Sequence, residues 1–197
     1  AILRIHPSNF AIVGFTSEVP REELVRLARR RKVPLIEDVG SGALVDMTRF
    51  GLPDEPLAAR ALAAGNPLVT ASADKLLGGP QAGILAGTKA MIAAAKANPL
   101  TRALRADKLT LAALEATLRL YRDPERAAEA IPVLRMLGEP AASVRARARR
   151  TLRLLGVERA VRAGAEVVAC DGEVVGGALP LARVPSFALS LRPVRGR

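Results

Sequence analysis

Through the first hundred residues, apolar runs of four or five positions alternate with longer segments of helical spacing. Residues 1–5 and 12–15 are short apolar runs that read as strands. Residues 17–32 then read as a helix. Thr16 or Ser17 can cap it, Pro20 sits in its first turn, Glu22 and Glu23 follow, and Arg29, Arg30, Arg31 and Lys32 close it. Acids first and bases last suit the helix dipole. The run 33–36 is a buried strand with a polar end, Glu37-Asp38, followed by the flexible Val39-Gly40-Ser41-Gly42. A helix over 56–64, strands over 68–71 and 83–87, and a helix over 88–97 continue the pattern. Strands and helices alternating at this spacing predict an α/β fold with a mostly parallel sheet.

The pattern changes after Asn98-Pro99. A long helix over 107–122 has Leu109, Leu111, Leu114, Leu118 and Tyr121 as its apolar positions. Asp123-Pro124 breaks it, and a second helical stretch over 124–137 is interrupted at Pro132. A third helix covers 140–155. The tail then reads as β: a strand over 165–170, a turn at Asp171-Gly172, a return strand over 173–176 and a further strand over 186–191. Asp-Gly between β-type runs is a hairpin signal. The expected organisation is an α/β portion over 1–106, a helical connector over 107–139, and a small α+β domain over 140–197. The chain opens on an apolar run with no polar lead-in, as expected of a segment from inside a longer fold.

Composition narrows the picture. Half of the 197 residues are hydrophobic, so a real core can form. No run of about 18 apolar residues and no signal-peptide pattern is present, so the expectation is a cytoplasmic chain with no membrane partner. One cysteine, Cys170, excludes an internal disulfide framework, and with one histidine it leaves too few soft ligands for a zinc site. The net charge is +11, and of 30 basic residues only Lys32, Lys75, Lys89, Lys96 and Lys108 are lysine. Such a balance attracts polyanions. Five aromatics are few for base stacking, which argues against a single-strand reader. Nucleic-acid contact and a merely solvated basic surface both fit.

The chemistry concentrates around Lys75, which follows a buried strand and precedes the Gly78-Gly79 turn. A lysine held partly out of water can act as a nucleophile towards a carbonyl. Ser72, three residues earlier, can reach a phosphate, and the Gly78-Gly79 backbone can approach one. Asp38 ends an apolar strand, where parallel sheets place ligands. A strand-end Asp and a later strand-end Lys are the pair that a pyridoxal phosphate enzyme needs: the lysine holds the aldehyde carbon, and the carboxylate keeps the pyridine nitrogen protonated. A turn aspartate and a surface lysine are the bland alternative.

The wording of four segments goes further. They are His6-Pro7-Ser8-Asn9-Phe10 with Val13-Gly14-Phe15-Thr16; Glu37-Asp38-Val39-Gly40-Ser41-Gly42-Ala43-Leu44-Val45-Asp46; Asp74-Lys75-Leu76-Leu77-Gly78-Gly79-Pro80-Gln81-Ala82-Gly83; and 98–108. Together they resemble the bacterial selenocysteine synthase family, pyridoxal phosphate enzymes of the aminotransferase-like (fold type I) class. The resemblance extends into the tail at Val175-Gly176-Gly177-Ala178-Leu179-Pro180 and so covers nearly the whole chain. It implies a PLP-dependent transferase exchanging the seryl hydroxyl of seryl-tRNA(Sec) for selenium, with selenophosphate as donor. It also implies a homo-oligomer of dimers, assembled into a ring. By the same resemblance Lys75 carries the pyridoxal 5'-phosphate cofactor, Asp38 pairs with its ring nitrogen, and Ser72 touches its phosphate. Asn9 or Ser8 meets the ring hydroxyl, and His6 lies near the site or serves as a hydrogen-bonded structural residue. Arg102 and Arg105, three apart on a helical turn, are implied to bind an anion such as selenophosphate.

Relatives of this kind are more than twice as long, and the chain corresponds to their C-terminal part. The expectation is therefore that it binds cofactor poorly and does not turn over alone. Ala73 stands where a glycine is common. A related ammonia-lyase acting on an amino-sugar acid would share Asp38 and Lys75, and a non-catalytic basic module that binds RNA or a partner is the alternative from another class. Arg145, Arg149 and Arg153 share a helix face within the basic stretch 145–162. That face fits tRNA, a neighbouring subunit or solvent alike.

Overall fold

A computed structural model describes residues 1–174 and 179–192. Its first part is a four-stranded sheet of β1 (Ile2–Ile5), β2 (Leu35–Asp38), β3 (Leu68–Ser72) and β4 (Gly83–Gly87) in that spatial order. β1, β2 and β3 are parallel, with Ile5 beside Asp38 and Asp38 beside Thr70. β4 runs antiparallel to β3, pairing Gly83 with Ser72. The carboxyl ends of the three parallel strands therefore share one edge. α1 (Arg21–Arg31) links β1 to β2, α2 (Ala58–Ala63) precedes β3, and α3 (Lys89–Ala97) follows β4.

The helix predicted from residue 17 begins at Arg21, and neither Thr16 nor Ser17 caps it. Pro20 holds the N-cap position in an extended conformation, so the helix starts where proline's missing N–H does no harm. Residues 12–15 form no strand. They have no ladder partner among the described residues, and Val13 and Phe15 are exposed.

After α4 (Leu100–Leu104) come α5 (Lys108–Leu120), α6 (Pro124–Ala130) and α7 (Pro132–Leu137). Asp107 caps α5 by accepting the N–H groups of Leu109 and Thr110; Asp123 caps α6 in the same way. Prolines at the first positions of α6 and α7 separate the two helices, as the sequence indicates. The tail holds α8 (Ala141–Leu155), α9 (Val157–Arg162) and a two-stranded antiparallel ribbon of β5 (Glu166–Glu173) and β6 (Arg183–Ser190).

The expected Asp171-Gly172 hairpin is not a turn. Both residues lie inside β5, paired with Pro185 and Val184, and Gly172 is not in the left-handed region that a tight Asp-Gly turn requires. The chain instead reverses between Val174 and Arg183. Val175, Gly176, Gly177 and Ala178 lie outside the described residues, and the return strand expected over 173–176 falls partly among them. Residues that flank them join the main core: Val174, Leu179 and Ala182 pack with Met47, Leu76, Ile131 and Leu134. Among the described residues no helix is long and apolar enough to cross a membrane.

Candidate active site

The shared carboxyl edge of β1, β2 and β3 gathers the residues singled out in the sequence. β1 leads to His6, Ser8 and Asn9, β2 ends on Asp38, and β3 ends on Ser72, three residues before Lys75. Lys75 Nζ lies 2.9 Å from Ser8 Oγ and 2.7 Å from Asn9 Oδ1, donating to both across 66 or more residues of sequence. Ser8 is buried and Asn9 exposed, so the amine sits at the rim of the sheet edge, half-buried itself. Asp38 Oδ1 accepts from Thr70 Oγ1 at 2.8 Å and from the Gly40 N–H at 3.3 Å. Its Oδ2 has no hydrogen-bond partner among the described residues. Lys75, Ser8 and Asn9 thus meet by hydrogen bonds, and Asp38 ends the neighbouring strand at the same sheet edge.

The loop bearing Lys75 is held on three sides. It is closed at its base by the Ser72–Gly83 pair and by Ala73 N–H donating to the Ala82 carbonyl at 2.9 Å. Leu76 N–H donates to the Ser41 carbonyl, and the Tyr121 hydroxyl donates to the Leu77 carbonyl at 2.8 Å. Leu76 itself is buried against Ile131 and Leu134 of the connector. Gly42, at φ +69°, lies so close beneath the Ser72 carbonyl that any side chain there would collide with it. Tyr121 is largely buried, and that burial pushes its phenol far above the ordinary range.

Gly78 and Gly79 do not form the open phosphate cradle that the sequence suggests. Their N–H groups donate to the carbonyls of Lys75 and Ala73. The Cβ positions of Gly78 and Gly79 face Ile131 and Leu114 respectively. These glycines let the connector close on the loop. Arg102 and Arg105 do not share one helix face either. Arg102 lies within α4, whereas Arg105 has already left it in an extended conformation, and both are exposed. Neither bonds to Lys75, Asp38 or Ser72 in the structure. Ser72 lies at the end of β3, its side chain without a hydrogen-bond partner among the described residues.

Residues 1–196 match the family model of L-seryl-tRNA selenium transferase. The chain belongs to that family. It is 49% identical over 196 residues to the L-seryl-tRNA(Sec) selenium transferase of Salmonella paratyphi A (strain ATCC 9150 / SARB42), and 48% identical to that of Salmonella heidelberg (strain SL476). In both cases all of this chain is covered, against 42% of the relative, so the chain spans less than half of their length. Among solved structures it is similar to D-glucosaminate-6-phosphate ammonia-lyase, with a TM-score of 0.58 and 18% identity, covering 98% of this chain and 42% of the other. At that identity the likeness concerns the fold, and the fold is the expected aminotransferase-like α/β class.

Two acidic residues outside the predicted site set lie close by, Glu37 and Glu55. Glu37, beside Asp38 on the opposite face of β2, is fully buried. Arg21 grips it through two parallel bonds of 2.8 Å, Arg4 donates from the register partner on β1 at 2.6 Å, and Asn66 Nδ2 donates as well. Burial pushes this carboxyl up, but the hydrogen bond and charge of Arg21, with Arg4, outweigh that and hold it below the ordinary range. Glu55 is also buried, with Oε2 3.3 Å from His6 Nε2 at ion-pair distance but without hydrogen-bond alignment. His6 is anchored further by its backbone N–H, which donates to the Asp38 carbonyl. Glu37 was legible only as the polar end of a strand, and Glu55 carried no signal in the sequence.

Proposed function

We propose that this chain contributes the cofactor lysine and its aspartate partner to a pyridoxal phosphate-dependent enzyme. In this reading the enzyme converts seryl-tRNA(Sec) to selenocysteinyl-tRNA(Sec), with selenophosphate as the selenium donor. The observation that carries this reading is the convergence of Lys75 Nζ with Ser8, Asn9 and Asp38 on one sheet edge, in a chain of this family. The donor set fits the cofactor: a primary amine for its aldehyde, a carboxylate oxygen still free on Asp38, and hydroxyl and amide groups around the amine. Lys75, Asp38, Ser72 and Asn9 or Ser8 would hold it.

Pyridoxal phosphate, when bound, supplies an electron sink that allows the seryl Cα–H bond to break and the β-substituent to leave. Lys75 Nζ takes the Cα proton, steered by its two bonds to Ser8 and Asn9. Asp38, its Oδ1 fixed by Thr70 and the Gly40 N–H, would offer its remaining oxygen to the pyridine nitrogen. In the net exchange the Cβ–O bond breaks with loss of water, a Cβ–Se bond forms, and water cleaves the donor's Se–P bond to release phosphate. Arg102 and Arg105 are the proposed anion contacts, in an assembly of dimers in the bacterial cytoplasm.

Incubation with pyridoxal phosphate, borohydride reduction and peptide mapping test the lysine assignment even where binding is weak. The cofactor is expected on Lys75, and Lys75→Ala should lose it. Labelling spread over the other lysines with none on Lys75 would overturn the assignment. Conversion of seryl-tRNA with selenophosphate by the assembled enzyme, lost in Lys75→Ala, tests the substrate.

A further inference from the structure

The function proposed above makes no use of α8. Its sequence, AASVRARARRTLRLL, contains five arginines and no acid. Arg145, Arg149 and Arg153 follow one another at four-residue spacing, so at 1.5 Å per residue they form a row about 12 Å long. All three are exposed, and none has a hydrogen bond or an acidic partner among the described residues, whereas Arg147 is occupied by Glu139 at 2.6 Å. The row borders a shallow cavity of about 600 Å³, whose other lining residues are Ala142, Ala146 and Phe187 of β6. Arg145 lies over the Phe187 ring at 5.4 Å, which fixes one end of the row before any ligand arrives. Small alanines between the arginines let a bulky anion approach the helix backbone.

We infer that this face of α8 binds the phosphate backbone of RNA. Guanidinium forks match phosphate geometry in two-bond fashion, and an unopposed row of them in a chain of net charge +11 favours a polyanion over a protein surface of mixed charge. The exposed apolar residues Leu154, Val157 and Val161 lie beyond the row, at the α8–α9 junction, so the arginine face itself offers a lipid surface little to bury. The choice of transfer RNA as probe rests on the function proposed above; the phosphate chemistry does not.

The test is binding of fluorescently labelled transfer RNA to the chain between 50 and 200 mM salt, read without turnover. Wild type, Arg149→Gln/Arg153→Gln and the control Arg126→Gln/Arg135→Gln are compared. Both pairs remove the same charge from exposed, unbonded positions, and circular dichroism verifies folding. Each lost phosphate contact removes about 0.9 from the slope of log affinity against log salt. The α8 pair should therefore reduce the fourfold-salt effect by about tenfold, and the control should reduce it far less. Equal slopes in the two variants would overturn the inference. So would absence of binding at 50 mM salt, or a preference for anionic phosphatidylserine vesicles that depends on the same two arginines. Because the readout is binding alone, its failure leaves the Lys75 assignment standing, and failure of that assignment leaves this one.

Discussion

Replacing Glu37 by glutamine keeps the shape of the side chain and removes its charge. In the folded chain the carboxylate is fully buried and receives the Arg21 guanidinium through two bonds, together with Arg4 and Asn66. A glutamine there turns an –NH₂ group towards donors, leaves Arg21 without its anion, and leaves Arg4 only the exposed Glu18, 3.0 Å away. Breaking a buried pair in this way costs about 3–5 kcal/mol. Arg4 and Arg21 keep 18% and 19% side-chain exposure, so water relieves part of that and places the expected loss near ~3 kcal/mol. With a urea slope of about 2 kcal/mol per molar, the unfolding midpoint should fall by roughly 1.5 M, read by far-UV circular dichroism at pH 7.

The acid limb gives an independent check. The folded carboxyl titrates below its ordinary value of 4.5, so its contribution is complete above that pH and disappears as pH falls through the lower, folded value. Wild type should lose stability steeply there, and Glu37→Gln should show a shallower limb. A midpoint shift under about 0.5 M, or identical acid limbs, would refute the idea that this cluster secures the β1–β2 register on which Ser8, Asn9 and Asp38 depend.

Two further outcomes follow from the same geometry. Tyr121 is the one tyrosine, and burial holds its phenol protonated, so tyrosinate absorbance should be absent at pH 10, where an exposed tyrosine is half ionised. The unfolded chain ionises first, so stability should fall as pH rises beyond 10, and normal titration of the folded chain would contradict the clasp on the Leu77 carbonyl. Gly42→Ala and Gly51→Ala both place a side chain at positive φ, near +70°, but only Gly42 lies beneath a backbone carbonyl, while Gly51 faces open space. Gly51→Ala should cost about 1–2 kcal/mol. Gly42→Ala should cost distinctly more, and equal denaturation midpoints would show that the Ser72 carbonyl can move aside.

What could be read from the sequence was local. Asp38 and Lys75 announce themselves because each ends an apolar run and meets a glycine-rich turn, so strand end and chemistry coincide. Ser8 and Asn9 carry no such local signal and were expected there only through the family resemblance. The grip of Arg21 on Glu37 spans 16 residues, and the Tyr121 bond to Leu77 spans 44. No periodicity encodes such pairings. Asp171-Gly172 misled because a hairpin signal is a preference for a turn, and eight ladder pairs with β6 outweigh it. Residues 12–15 misled because β propensity needs a neighbouring strand, and none lies beside them among the described residues. Gly78 and Gly79 looked like phosphate ligands, but their N–H groups are already used within the loop.

The loop that carries Lys75 is closed at its base by the Ser72–Gly83 pair and fastened by Ser41 and Tyr121. Its conformational entropy is therefore surrendered once, when the chain folds. A ligand arriving at the amine meets a nucleophile already arranged, and the ordering penalty at association falls on the ligand and on the rim around Asn9. A change in loop length would act in the opposite sense, shifting that penalty from folding to every encounter with ligand.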